Sequence, residues 1–328
     1  MSLAGRIDEF QRRHPATGFP LAVIYKFFDD QGAYLAALCT YYAFISLFPL
    51  LLLFSTILGI VLADNPALQE RILESALSQI PVIGQQLGEP EKLSGGIPAL
   101  IISVLVSLYG GLGVAVAAQN AMNTIWAVPR NDRPDPIVAR LRGLVLLSTV
   151  GLAVIGLTVV NGFAAGLDLG VANRWFAVLG SILLNTGVFI VAFRFGTTRA
   201  LRTRDVLPGA LAAALCWQAI QTFGAVYVER VITNASATNG VFAIVLGLLA
   251  FLYVTSIVLV FCLEANAVRV DHLYPRSLLT PFTDNVILTK GDERAYSAQA
   301  RAQRNKGFQE IDVTFDNPRE NGTRPTDE

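Results

Sequence analysis

Charge is what this sequence has least of. Of its 328 residues only 15% are charged, where a soluble globular chain carries about 25%, while 53% are hydrophobic and the mean hydropathy is +0.51. The formal net charge is zero, so no overall attraction to nucleic acid is expected. Histidine is scarce as well. His14 and His272 stand alone, without an HxH pair or an Asp/His cluster, so metal-assisted or acid–base hydrolysis of RNA lacks its groups and no metal site is expected. The cysteines Cys39, Cys216 and Cys262 fall singly in apolar segments, a spacing that suits packing rather than metal binding. No Gly-x-x-x-x-Gly-Lys-Ser/Thr loop occurs, which leaves the chain without that route to ATP. No secretory leader is expected in residues 1–20, which mix Arg6, Asp8, Glu9, Arg12 and Arg13 without an apolar core.

Long apolar runs are what the chain has in place of charge. The stretch 33–63 contains no Asp, Glu, Lys, Arg or His, and about 20 apolar residues suffice for a helix to cross a hydrocarbon core of roughly 30 Å. Five more such runs follow, at 97–126, 138–167, 173–195, 206–227 and 241–268. The expected fold class is therefore all-α, a polytopic membrane protein with six transmembrane helices over 33–270. Pro49, near the middle of the first run, predicts a kinked or broken helix, with Ser46 placed to help satisfy the carbonyl of Ile45.

The flanking segments are polar or amphipathic. Residues 1–32 read as a cytoplasmic lead whose part 21–32 puts Ile24, Phe27 and Phe28 on one side, as an interfacial helix or a cap on the bundle would. The connection 64–96 spaces Leu68, Ile72, Ala76 and Ile80 helically, which predicts an external amphipathic segment and a docking place for an envelope-assembly partner. The tail 271–328 reads as cytoplasmic and mostly disordered. Basic residues gather in alternate connections: Arg12 and Lys26, then Arg130, Arg133, Arg140 and Arg142, then Arg194, Arg199, Arg202 and Arg204, then Arg269 and Arg276. The positive-inside rule then puts both termini in the cytoplasm. Pro98 and Pro208 open the second and fifth runs similarly, a hint of two three-span halves of inverted topology.

Polar groups inside the runs are the candidate functional residues. Tyr41, Tyr42 and Ser46 precede Pro49; Gln119, Asn120 and Asn123 follow a Gly110, Gly111 and Gly113 cluster; Gln218 and Gln221 form a second polar edge. Such amides either line a path or hydrogen-bond between helices. Glu264 is the sharpest signal, since an ionisable group in a span marks function or a charge partner. Helical spacing puts Tyr253 on nearly its face and Asn266 almost opposite. Two roles follow for Glu264: a structural pair with Arg194 or Arg199, or proton or substrate coupling. Arg194, Arg199, Arg202 and Arg204 are also candidate contacts for anionic lipid headgroups.

Several stretches together resemble the YihY/BrkB envelope protein family: ALCTYYAFISLFPLLLL, LYGGLGVAVAAQNAMNTIW, LPGALAAALCWQAIQ, and NGVFAIVLGLLAFLYVTSIVLVFCLEANA with its Glu-x-Asn ending. The resemblance covers 21–270 and not the tail. It implies a six-span inner-membrane protein connected with envelope integrity or transport, and it brings no catalytic residues and no cofactor. Some members carry a ribonuclease label. The expectation is a non-enzymatic protein that moves or handles a lipid or amphiphilic envelope component through a path lined by Tyr41, Tyr42, Ser46, Pro49, Gln119, Asn120, Asn123, Gln218, Gln221, Tyr253 and Glu264. The alternative is a non-transporting scaffold in envelope assembly; a ribonuclease ranks third.

Overall fold

A computed structural model describes residues 3–61, 96–165, 170–232, 237–278, 280 and 286–315. Among the described residues all regular structure is helical. The helices are α1 (Leu3–Arg13), α2 (Pro15–Asp29), α3 (Gly32–Val61), α4 (Gly96–Ile125), α5 (Pro136–Ala165), α6 (Gly170–Phe195), α7 (Thr203–Ile232), α8 (Ala237–Val270) and α9 (Lys290–Ala302), with a 3-10 turn at Arg130–Asp132. Helices α3 to α8 run 26 to 34 residues each, so even the shortest is about 39 Å long at helix rise. Three stretches among the described residues are long and apolar enough to cross a membrane: Val178–Phe195, Thr203–Gly224 and Val245–Val270. The expected external segment lies outside the described residues from 64 to 95.

The six long helices form a closed cycle of neighbours. Each packs on the next from α3 to α8, and α8 returns to α3. Helix α8 also contacts α2 and α4, which makes it the element through which the site is assembled. The buried core gathers at one end of the bundle, where Phe27, Ile125, Trp126, Phe193, Val206 and Leu263 meet. There α3, α5 and α7 begin and α4, α6 and α8 end. Close approach within the cycle rests on small residues. A Cβ at Gly110 would strike the Ser46 backbone, and one at Gly113 would strike the Tyr42 ring.

Three expectations need correction. Helix α3 is continuous as helix through position 49, so the break allowed for at Pro49 is absent. Ser46 Oγ donates to Ala43 O at 3.2 Å and does not serve Ile45. Second, the apolar side expected of α2 is divided between the bundle and the exterior. Phe27 is buried against Phe261, ring centroids 4.1 Å apart, while Ile24 and Phe28 are exposed and Lys26 is buried. The reason is electrostatic, because two carboxylates wait for that lysine inside.

The tail is the third correction. Residues 290–302 form a helix started by a capping box: Thr289 Oγ1 accepts from Asp292 N at 3.1 Å, and Asp292 Oδ2 accepts from Thr289 N at 2.9 Å. Asp292, wholly buried, also accepts from Arg276 Nε at 2.5 Å and Ser277 N at 2.9 Å. Arg276 reaches back to Asp29 at 3.0 Å, Gln299 Nε2 donates to Asp29 O at 2.7 Å, and Arg304 bonds Asn131 and Asp132. A composition test for disorder counts apolar residues and so overlooks a segment docked by charge.

Candidate functional site

The site grows from a lysine in an apolar helix. Lys26 lies one turn before Asp30, so α2 stacks the pair and they form a salt bridge. Across the α2–α8 contact Lys26 Nζ is 3.4 Å from Glu264 Oε2. Glu264 is wholly buried, and neither of its oxygens has a well-directed hydrogen bond. Burial works against the charge on Lys26, but Glu264 and Asp30 outweigh it and hold its pKa above the usual lysine value. Burial raises the pKa of Asp30 in spite of Lys26, and the nearby Asp29 adds to the rise. One cation shared by two buried carboxylates leaves one acid undercompensated, which favours a proton on the cluster.

Lys26 and Asp30 do not end in the interior. They line a pocket of about 400 Å³ bounded by Asp29, Tyr34 and Leu35, by Asn120 and Thr124 of α4, by Arg130 and Arg133, and by Ala295, Ala298 and Gln299 of α9. The buried carboxylate is thus connected through Lys26 and Asp30 to a polar cavity. That arrangement can pass a proton between the cavity and the bundle interior.

The sequence-predicted residues are spread over several helix contacts. Gln119 Nε2 donates to Ala115 O and to Ala139 O at 3.0 Å, tying α4 to α5. Asn123 Oδ1 accepts from Thr197 Oγ1, Thr198 N and Thr198 Oγ1, tying α4 to the turn after α6. Asn120 is exposed at the pocket and accepts from Arg133 Nη1 at 3.1 Å. Tyr41 is exposed, its ring 5.3 Å from that of Tyr42, and Tyr42 and Ser46 face the α4 glycines. Gln218 and Gln221 are half-buried on α7, the former about 14 Å along the helix from Gly209, and Tyr253 is half-buried against the core. The side chain of Pro49 lies outside the described residues.

Glu264 therefore pairs with Lys26 and not with Arg194 or Arg199. Arg199 is held by a two-pronged bond to Asp271, at 2.6 and 2.9 Å, and lies over the Trp126 ring at 5.0 Å. Arg194 donates to Leu201 O and Thr203 Oγ1. Only Arg202 and Arg204 of the expected headgroup contacts stay exposed without a side-chain partner among the described residues. Sequence reasoning missed Lys26 and Asp30 as site residues, and used Arg130 and Arg133 only for topology. A lone lysine inside LAVIYKFF, one turn from an aspartate, was the signal available.

Asn266 makes the other bond across the bundle that the sequence did not foretell. Its Oδ1 accepts from Gly209 N at 2.9 Å and its Nδ2 donates to Val206 O at 3.1 Å. Pro208 leaves the carbonyl of Arg204 without its helical partner, and Arg269 Nη2 donates to that oxygen at 2.9 Å. The Leu-Pro-Gly and Glu-x-Asn motifs are two halves of one joint.

A family model described as Virulence factor BrkB matches residues 23–281. The chain is similar to the inner membrane protein YhjD of Escherichia coli K12, 23% identical over 275 residues, covering 76% of this chain and 80% of the relative. It is also similar to the uncharacterized protein Dda3937_02003 of Dickeya dadantii 3937, 25% identical over 261 residues, covering 72% of this chain and 78% of the relative. No solved structure matches.

Proposed function

The chain belongs to the virulence factor BrkB family of membrane proteins, and from that premise we propose that it moves or handles a lipid or amphiphilic envelope component, without an ATPase of its own. In this reading α3 to α8 are six spans of the inner membrane, both termini are cytoplasmic, and no bond-making step is assigned to the chain. The observation that carries it is the buried Glu264–Lys26–Asp30 cluster opening into a polar cavity. A carboxylate buried in a span is costly to keep, and one with a route to water is suited to take and release a proton as a load moves. A proton gradient is then the driving force.

The scaffold reading has its own support. Gln119, Asn123 and Asn266 all satisfy backbone or hydroxyl groups of neighbouring elements, as helix glue does, and segment 64–96 would then recruit a partner for envelope assembly.

The deciding experiment reconstitutes the protein into vesicles with fluorescent phospholipid and adds a membrane-impermeant reductant outside, with and without a proton gradient. Wild type should expose inner-leaflet lipid to bleaching, and Glu264→Gln, folded to normal yield, should lose most of that activity. Wild type indistinguishable from empty vesicles under both conditions would falsify lipid movement and leave the scaffold.

A further inference from the structure

The acids on the pocket wall are engaged in ion pairs: Asp29 with Arg276 at 3.0 Å, Asp30 with Lys26, and Asp271 with Arg199 at 2.6 Å, Lys26 being shared with Glu264 and Arg276 with Asp292. Arg130 and Arg133 line the same cavity with no acidic partner among the described residues. Arg133 is instead held by neutral acceptors, its Nε donating to Val128 O at 3.2 Å and its Nη1 to Asn120 Oδ1 at 3.1 Å. Those two bonds orient the guanidinium and leave Nη2 free. Burial and the adjacent Arg130 both lower its pKa, so the two cations stand near each other at the cavity, neither in an ion pair among the described residues. Two guanidinium groups lining one cavity are an arrangement that oxyanions fit, through paired, charge-assisted hydrogen bonds.

A second feature says what the anion is attached to. Tyr34 lines the pocket and begins a stripe along α3 with Leu38, Tyr41 and Ile45, exposed by 75%, 40%, 58% and 37%. The spacing of four, three and four residues keeps these side chains on one face. A cavity of about 400 Å³ is near the small end of the roughly 300–1,000 Å³ range for ligand sites, enough for a headgroup and too small for a diacyl lipid. The polar cavity and the apolar stripe are continuous through Tyr34.

We infer that this pocket is the headgroup site of an anionic membrane amphiphile, its phosphate or similar oxyanion held by Arg130 and Arg133 while its chain lies along the Tyr34–Ile45 face of α3. The inference rests on the amphiphile-handling reading and gives it a charge class and a binding end. It also places the head beside Lys26 and Asp30, so that the titrating cluster and the load share one cavity.

Native mass spectrometry of the full chain in non-ionic detergent tests it, with phosphatidic acid, phosphatidylcholine and inorganic phosphate as probes. Wild type should retain one phosphatidic acid in preference to phosphatidylcholine. Arg130→Gln and Arg133→Gln should each weaken that binding by at least about tenfold, Arg133→Lys by less, and Arg13→Gln, an exposed arginine outside the pocket lining, not at all. Arg130 has no side-chain partner to lose, so its variant decides the matter if Arg133→Gln fails to fold. Equal retention of the two lipids, or phosphatidic acid binding untouched in Arg130→Gln, overturns the site. Phosphate retained with no preference for phosphatidic acid overturns the amphiphile and leaves a free-anion pocket. Arginine-dependent binding in a protein that moves no lipid in vesicles would refute the transport reading while keeping this site, and movement without arginine dependence would do the reverse.

Discussion

Lys26 shows how one side chain converts a membrane-surface helix into part of a bundle. Burying a lone ammonium costs several kcal/mol, and the cost is met only when carboxylates lie within ion-pair distance. Glu264 and Asp30 supply them. Burial leaves Asp30 with a raised pKa, so the folded protein takes up its proton more readily than the unfolded chain does. The sign follows: in the window above the ordinary Asp value near 3.8, stability from this group rises as pH falls. Thermal unfolding of the detergent-solubilised protein should therefore show wild type gaining on Asp30→Asn between pH 7 and pH 4. A stability difference that stays constant would mean that Asp30 titrates like an exposed aspartate, and wild type losing ground on acidification would mean that its partners hold the carboxyl below the ordinary value.

At the scale of elements, the joint between α7 and α8 decides how the bundle closes. Pro208 disables one backbone bond near the start of α7, and Asn266 and Arg269 of α8 take over the groups left around it. Gly209 is required there, since a Cβ would run into the Asn266 amide and the carbonyl of Cys262. Asn266→Ala removes both amide bonds from this buried joint and should cost about 2 kcal/mol, read as a fall of several degrees in the unfolding temperature. Gly209→Ala should destabilise by at least as much. An Asn266→Ala protein as stable as wild type would show that the amide is not what holds the two helices.

At the scale of the molecule, the lead, the 129–135 turn, the turn after α6 and the tail helix all meet at one end of the bundle, tied by Arg276–Asp29, Arg304–Asp132 and Arg199–Asp271. The positive-inside argument assigns that end to the cytoplasm. With Cys39, Cys216 and Cys262 replaced, single cysteines put in place of Arg13, Asn131 and Gln303 should react with an impermeant maleimide only in inverted vesicles. A cysteine at Gly96, at the far end of α4, should react in intact cells. Labelling of Arg13→Cys and Gln303→Cys from opposite sides would contradict both the topology and the docked tail.

The lengths and places of the long helices were legible in the sequence. Expected runs of 97–126 and 138–167 became Gly96–Ile125 and Pro136–Ala165, because an apolar run without charge leaves its backbone only itself to bond to. The site was legible only in part. Glu264 stood out because a charge in a span is rare, yet its partner was sought among arginines nearby in the expected topology, and the backbone and hydroxyl partners of Gln119 and Asn123 could not be read from spacing.

What the sequence by itself determined is therefore everything set by local composition: helix, membrane character, and the ends at which charge gathers. Only the tertiary structure decided which charges meet. Lys26 and Glu264 are separated by most of the chain, as are Asp29 and Arg276. Electrostatic energy depends on distance in space and on local burial, neither of which spacing along a chain records. Arg130 and Arg133 became a candidate anion site only when folding had set both on one cavity without an ion-pair partner among the described residues.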